Sequence, residues 1–319
     1  MMPNIAIIVE TPYMTNKYLI SVVGTTAIGK TSLSILLAQH FSTEIISADS
    51  RQFFKEMCIG TAVPSTDELN AVKHHFIQHK SIHENYSVGH FEKDAITTLE
   101  KLFKTNDVVL MVGGSALYSN AVINGLDDLP EIDESIRKDL NKALNDKGLF
   151  YLQEKLKTLD PESFKTIAID NPQRVIRALE ICIGTGKPYS SFLTNIRAKR
   201  NFKVLQIGLE ADREIIYNRI NLRVDEMIEA GLLDEAKELL PYKQLNALNT
   251  VGYKELFNYF EGEWDLKFAI SEIKKNTRRF AKRQLTWYRK DHTINWFNYQ
   301  FNITKIIDFI ENEIKKPAG

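Results

Sequence analysis

One short segment constrains this chain more than any other. Gly24-Thr25-Thr26-Ala27-Ile28-Gly29-Lys30-Thr31 reads G-x-x-x-x-G-K-[ST], the pattern of a phosphate-binding loop. Its context is right. Tyr18–Gly24 is a short apolar run ending in glycine, which reads as a buried strand, and a helical pattern runs from Lys30 to about His40. Glycines let backbone N–H groups turn inward on an anion, and the helix N-terminus adds partial positive charge. Lys30 supplies a point charge, and the Thr31 hydroxyl can hold Mg²⁺. A glycine-rich turn that binds nothing would not need the whole set. The motif indicates a di- or triphosphate, not a particular nucleotide.

Three more apolar runs read as strands: Glu44–Ala48, Val108–Val112 and Val204–Leu209. Helical stretches separate them, so the expected class is α/β, a P-loop NTPase-like, mainly parallel sheet flanked by helices. The stretch from Gly113 to Lys203 is too long for one crossover. It reads as helices and polar turns, punctuated at Leu129-Pro130, Asp160-Pro161, Asn171-Pro172 and Lys187-Pro188. The expected organisation is a core of residues 17–119 and 203–319, with a helical insertion at 120–202. After Glu210 the pattern is almost wholly helical. Residues 1–16 read as a poorly ordered leader. Their apolar pentamer Ile5–Val9 follows no basic residue, ends at Glu10 and Pro12, and is short for a signal-peptide core. Met14 is a second candidate start.

No apolar run reaches the ~18 residues that a membrane span needs, so no membrane association is expected. The two cysteines, Cys58 and Cys182, fit no zinc or disulfide framework, which points to a reducing cytoplasm. No sustained heptad appears, and a monomer is expected.

A nucleotide hydrolase should carry a second signal, an apolar strand ending in an Asp that holds Mg²⁺. Here the candidate strand ends Val112-Gly113-Gly114-Ser115, with no carboxylate, and the guanine-reading N-K-x-D is absent. The acid stands instead at Asp49, after the second strand. It can be an N-cap of a following helix. It can equally be a working carboxylate at the ligand-binding end of an open α/β sheet.

The segments around these residues resemble the tRNA dimethylallyltransferases, also called tRNA isopentenyltransferases, of the bacterial type without a zinc finger. The ordered motifs run from about residue 18 to 290. They include the phosphate loop, Asp49-Ser50-Arg51-Gln52, Met57–Ala62, His74-His75-Phe76-Ile77 and Tyr86-Ser87. They continue with Val112–Tyr118, Asn171–Glu180, Arg223–Met227, Val251-Gly252-Tyr253 and Lys282–Trp287. The resemblance implies transfer of a dimethylallyl group from its diphosphate to N6 of the adenosine 3′-adjacent to the anticodon of a tRNA. It makes Asp49 the general base, Thr31 a catalytic residue and Mg²⁺ ligand, and Arg223 the arginine on the leaving diphosphate. Gly24, Thr25, Thr26, Ala27, Ile28, Gly29, Lys30 and Thr31 would bind the diphosphate. Arg219, one helical turn before Arg223, would face the same side; a solvated surface arginine is the alternative. By the same resemblance Asp49, Ser50, Arg51, Gln52, Ser115, Arg137, Gln173, Arg174, Val175, Ile176 and Arg177 contact tRNA. The insertion then becomes the second jaw on the anticodon stem-loop. Three positions depart from the family pattern: Val63 replaces the usual Lys, Ser115 a Thr, and Gln78 an Asp.

Net charge is uninformative, with 41 Lys+Arg against 41 Asp+Glu, but residues 271–290 are densely basic. Lys282 and Arg283 in that stretch are candidates for tRNA phosphates. His74, His75, His79, His83 and His90 crowd together, yet no cysteine or carboxylate completes a set, so zinc is not expected. Two other functions remain to be separated. A small-molecule kinase would consume ATP, and a nucleotide-sensing RNA-binding switch would not need Asp49.

Overall fold

The computed structural model describes residues 17–194 and 198–316. The expected leader lies outside them. Six strands form one sheet in the order β3-β2-β4-β1-β5-β6. They are β1 (Tyr18–Gly24), β2 (Ile45–Ser47), β3 (His74–His75), β4 (Val108–Val112), β5 (Lys203–Glu210) and β6 (Ile294–Asn298). Every neighbouring pair is parallel. The α/β reading therefore holds, with two strands beyond the four that the sequence indicated.

The central strand is buried along its whole length, which is why it reads as an unbroken apolar run. Alternate residues serve opposite faces. Ile20 and Val22 belong to one core with Leu110 and Ile207, whereas Leu19 joins Val109 and Met111 in another.

The helices in chain order begin with α1 (Lys30–His40), α2 (Thr66–Ala71), α3 (Val88–Leu102) and α4 (Ala116–Asn124). Next come α5 (Glu134–Leu159), α6 (Pro161–Thr166) and α7 (Pro172–Thr185). The last five are α8 (Arg213–Glu229), α9 (Leu232–Leu239), α10 (Tyr253–Phe260), α11 (Leu266–Tyr288) and α12 (Ile303–Lys315). Helices α1, α8 and α12 close the first face of the sheet through Leu33, Ile216 and Ile306. Helices α3 and α4 close the other through Phe91 and Val122. A further core joins α8 to α9, α10 and α11 through Val224, Leu232, Leu256 and Ile273. No helix among the described residues is long and apolar enough to cross a membrane.

The chain divides into two compact units, one of Met1–Asn124 with Lys199–Gly319 and one of Gly125–Ala198. The second unit starts later than residue 120 because α4 packs into the sheet's core through Ala121 and Val122. It has its own apolar centre, formed by Leu140, Leu152, Leu156, Val175, Ile176 and Leu179. Gly148 takes a φ of 79° and breaks α5 into two segments. Asp160 is buried where α5 ends. Its carboxylate accepts from Ser163 N at 3.0 Å and Ser163 Oγ at 2.5 Å, and from Ser190 N at 2.7 Å and Ser190 Oγ at 2.8 Å. Burial alone would raise its pKa. Those hydrogen bonds outweigh burial and hold it below the usual carboxylate range.

Candidate active site

The site begins where β1 stops. A side chain at Gly24 would put its Cβ 2.9 Å from Leu209 O, so only glycine lets the loop leave between β1 and β5. Gly29 then adopts a φ of 109° and opens α1 with no side-chain cap. The first N–H groups of α1 are thus left for an anion. Lys30 Nζ donates to Thr25 O at 2.8 Å, which holds the ammonium against the loop. Burial pushes its pKa down to about 8; Asp49 opposes that shift and Arg223 adds to it. Arg219 Nε donates to Ala27 O at 2.6 Å, so this arginine is fixed to the loop's tip rather than loose in solvent. Arg223, one turn along α8, lies near Arg219 and also near the carboxylates of Glu226, Glu68 and Asp49. Burial first, then Arg219, lower its pKa.

Asp49 follows β2. Ala48 N is tied to Val112 O at 2.7 Å, so the aspartate leaves the sheet beside β4. No helix follows it: residues 50–53 form turns, and Arg51 N donates to Asp49 Oδ1 at 3.2 Å. The helix-capping alternative is therefore removed. Asp49 shares a cavity of about 660 Å³ with Thr26, Lys30, Thr31, Gln52, Arg219 and Arg223. A second cavity, of about 450 Å³, is lined by Ser50, Arg51, Ser115, Phe280, Arg283 and Trp287. A narrow chamber has residues in common with both. It takes Thr26, Lys30, Asp49 and Arg223 from the first, and Arg51, Phe280 and Gln284 from the second. Ile220, Val224, Leu232, Val251 and Ile273 give it an apolar side, beside Thr61 and Thr277. The geometry suits a charged group in the first cavity, a flat group in the second, and a short apolar piece between them.

Gln284 stands at that junction. It is buried on α11, accepts from Thr26 N at 2.9 Å and donates to Gly114 O at 2.7 Å. It thereby ties the phosphate loop to the end of β4. The absence of a carboxylate there has a steric cause. A Cβ at Gly113 would lie 2.4 Å from Ala48 O, and one at Gly114 would lie 2.5 Å from Gln284 Nε2.

On the other side, Ser50 N donates to Ser115 Oγ at 3.1 Å, and the two hydroxyls lie 3.0 Å apart. The Arg51 guanidinium stacks 4.1 Å from the centre of the Phe280 ring, and burial lowers its pKa. Gln52 is committed to protein, donating to Ala62 O at 2.7 Å. The basic stretch divides by helix geometry. Lys274 pairs with Asp225 at 2.6 Å and Lys275 with Glu272 at 2.8 Å, while Arg278 donates to Asn221 at 2.6 Å. Lys282 and Arg283, though adjacent, turn to different sides. Arg283 faces the second cavity, and Lys282 faces a separate cleft with Thr25, Arg213 and Arg289.

In the insertion, Asn171 caps α7 and leaves Gln173 and Arg174 exposed. Arg177 and Arg137 share one buried carboxylate, Glu180, at 3.0 and 3.6 Å. Val175 and Ile176 correct the sequence reading: both are completely buried in the insertion's own core, so neither side chain can meet RNA. Helical periodicity separates them from 173, 174 and 177.

His74, His75, His79 and His83 lie outside any helix, and only His90 falls in one, at the start of α3. His74 and His75 form β3, and His75 Nε2 meets Glu44 Oε2 at 2.5 Å. His79 packs edge-on against Phe53, Phe76 and Tyr86. Among the described residues, no three His, Cys, Asp or Glu side chains gather to hold a metal.

A phosphate loop facing an acid and arginines, and opening through an apolar chamber into an aromatic-lined cavity, belongs to a group-transfer enzyme rather than a nucleotide hydrolase. The IPP transferase profile matches residues 52–291, and the chain belongs to that family. It is 64% identical to a tRNA dimethylallyltransferase of Christiangramia forsetii, over 94% of this chain and 99% of that one. A protein of the same name from Flavobacterium johnsoniae is 57% identical over 94% and 99%. The solved tRNA isopentenylpyrophosphate transferase of Bacillus halodurans is 38% identical, covers 94% of this chain and 97% of its own, and superposes with a TM-score of 0.69. A eukaryotic dimethylallyltransferase solved acting on tRNA is 27% identical over 93% and 80%, with a TM-score of 0.78. The family resemblance carried by the sequence motifs is thus borne out.

Proposed function

We propose that this chain transfers the dimethylallyl group of dimethylallyl diphosphate to N6 of the adenosine 3′-adjacent to a tRNA anticodon. The observation that carries the reading is the chamber whose wall contains both Lys30 and Asp49, of the phosphate side, and Arg51 and Phe280, of the aromatic side. The donor's diphosphate occupies the loop's N–H groups, and its five-carbon tail lies in the apolar chamber. The target adenine enters from the second cavity, where Phe280 and Trp287 offer faces for stacking.

Adenine N6 is a poor nucleophile. As it bonds to the allylic carbon it loses a proton, and Asp49 accepts it. The C–O bond to diphosphate breaks, and negative charge grows on the leaving group. Lys30, Arg219 and Arg223 are already in place to stabilise that charge. Mg²⁺ fits this arrangement as a partner of the diphosphate: the Thr31 hydroxyl offers a hard oxygen donor in the phosphate-side cavity, and the Asp49 carboxylate is kept for the proton. It supplies charge neutralisation at the phosphates, with Thr31 as its protein ligand.

The anticodon stem-loop is the tRNA element gripped, by Arg174, Arg137 and Arg177 of the insertion and by Ser50, Arg51, Ser115, Lys282 and Arg283 of the core. The enzyme works as a monomer in the cytoplasm, where its free thiols Cys58 and Cys182 stay reduced. Incubation with bulk tRNA, Mg²⁺ and radiolabelled dimethylallyl diphosphate tests the reading. Label entering tRNA is the expected result. No label in tRNA, with ATP consumed in a parallel incubation that contains it, would overturn the reading in favour of a nucleotide-using enzyme.

A further inference from the structure

The segment Cys58–Ala62 supplies no charged side chain, yet it walls both the phosphate-side cavity and the apolar chamber. It belongs to no helix or strand, and Ala62 takes a φ of 53°. Two turn bonds, Ala62 N to Ile59 O at 3.0 Å and Val63 N to Cys58 O at 3.2 Å, shape it from within, and its remaining polar groups need outside partners.

One side chain provides most of them. Glu235, on α9, accepts from three consecutive backbone N–H groups: Cys58 at 2.9 Å, Ile59 at 2.7 Å and Gly60 at 2.9 Å. The Tyr253 hydroxyl donates a fourth bond to the same carboxylate at 2.7 Å. Three of the four bonds that Glu235 accepts come from this loop, and the fourth comes from the tyrosine packed over it. Tyr253 also closes the space above the loop, since a Cβ at Gly60 would lie 2.6 Å from its ring. The loop's far end is bound in turn to Gln52, which donates to Thr61 O and Ala62 O at 3.3 and 2.7 Å. Gln52 N donates to Asp49 O at 3.0 Å. A continuous chain of hydrogen bonds therefore runs from α9, through the wall, to the aspartate's own turn.

The geometry points to Glu235 as a positioning residue for prenyl transfer: with Tyr253 it fixes the wall that shapes the donor cavity and sets Asp49 against it. This rests on the reading of that cavity as the donor site. Charge-assisted bonds to backbone N–H are the strong kind. A neutral amide in the same place accepts through one atom only and turns N–H donors toward N–H donors.

The test uses Glu235→Gln, with Tyr253→Phe as the milder variant that removes one bond of the four. Cys58 is exposed and Cys182 buried, so alkylation of the native protein reports on this loop. Burial, and then the Glu235 charge, raise the Cys58 pKa. In Glu235→Gln, Cys58 should alkylate several-fold faster at fixed pH and titrate lower. KM for the donor should rise about tenfold while tRNA affinity stays within about twofold. Tyr253→Phe keeps the Glu235 charge, so it should leave the Cys58 titration unlowered while raising donor KM and loop accessibility by smaller factors; its donor KM decides the matter if Glu235→Gln does not fold. A lowered melting temperature with unchanged Cys58 reactivity and unchanged donor KM would make Glu235 a stabilising residue only, and would overturn the inference. The thiol measurement needs no turnover. A wild-type protein that leaves tRNA unlabelled would refute the proposed reaction, while the Cys58 result would still judge the loop.

Discussion

Arginine is used in two ways in this molecule. In the core, Arg51 and Arg223 are partly buried, and that burial lowers their pKa values although Asp49 lies close enough to oppose the shift in both. Such charge is costly to hold without a ligand, and that cost makes it strong once a compact anion arrives. In the insertion, Arg174 is exposed, and Arg137 and Arg177 lean on a single buried glutamate. Those side chains are hydrated and adjustable, as suits an extended, repeating polyanion. The core is built for charge that appears in one place during a reaction, and the insertion for charge that is always spread out.

The largest effect should come from the core's acid. Asp49→Ala should lower kcat by roughly 10³-fold or more, with tRNA affinity nearly unchanged, as filter binding beside single-turnover kinetics would read. A variant that loses tRNA affinity and keeps its chemical rate would reverse the comparison.

Arg223→Ala should cost about 10²- to 10³-fold in kcat and much less in donor binding, because its charge matters most as diphosphate leaves. A change confined to KM would assign it to ground-state binding.

Lys30 sharpens the contrast through pH. Its pKa in the folded chain is about 8 against an ordinary 10.5. The folded state therefore binds this proton less tightly than the unfolded chain. The stability penalty is full below about pH 8 and fades as pH rises toward 10.5. Diphosphate favours the charged form, so binding at about pH 8.5 should take up as much as roughly three-quarters of a proton. Calorimetry in buffers of different ionisation enthalpy would measure it, and no uptake would mean that the loop's lysine is already charged.

Arg174→Ala should weaken tRNA binding several-fold and reduce its salt slope by about one, with donor KM unchanged. The smallest effect belongs to Glu180→Gln. It frees Arg137 and Arg177 from their shared carboxylate, and tRNA should then bind roughly two- to threefold more tightly. Weaker binding would show that the glutamate aims the two arginines instead of competing for them.

Legibility in the sequence followed the range of the interactions. β1 and β4 were readable to the residue because buried parallel strands are continuous apolar runs, and the phosphate loop because its parts are contiguous. β3 is two histidines at a sheet edge, and β6 mixes asparagine with aromatics on the other edge, so neither carries an apolar signature. Gln284 appeared in a motif without a role, because its partners Thr26 and Gly114 are 258 and 170 positions away. Glu235 was invisible for the same reason, its nearest loop partner being 175 positions distant. A run of charge read as one surface was cut by the helix into two faces, and Val175 and Ile176 were included with sequence neighbours that the helix points to the opposite face.

The crowding at Gly113 reaches beyond the present reaction. Descent from a nucleotide hydrolase, or return to one, would require an acid at the end of β4. A side chain at Gly113 would drive β2 and β4 apart at Ala48, the very joint that delivers Asp49. An acid placed at that position could not be gained without displacing the existing one, so there the distance between two backbones, and not the choice of residue, keeps the two carboxylates from coexisting.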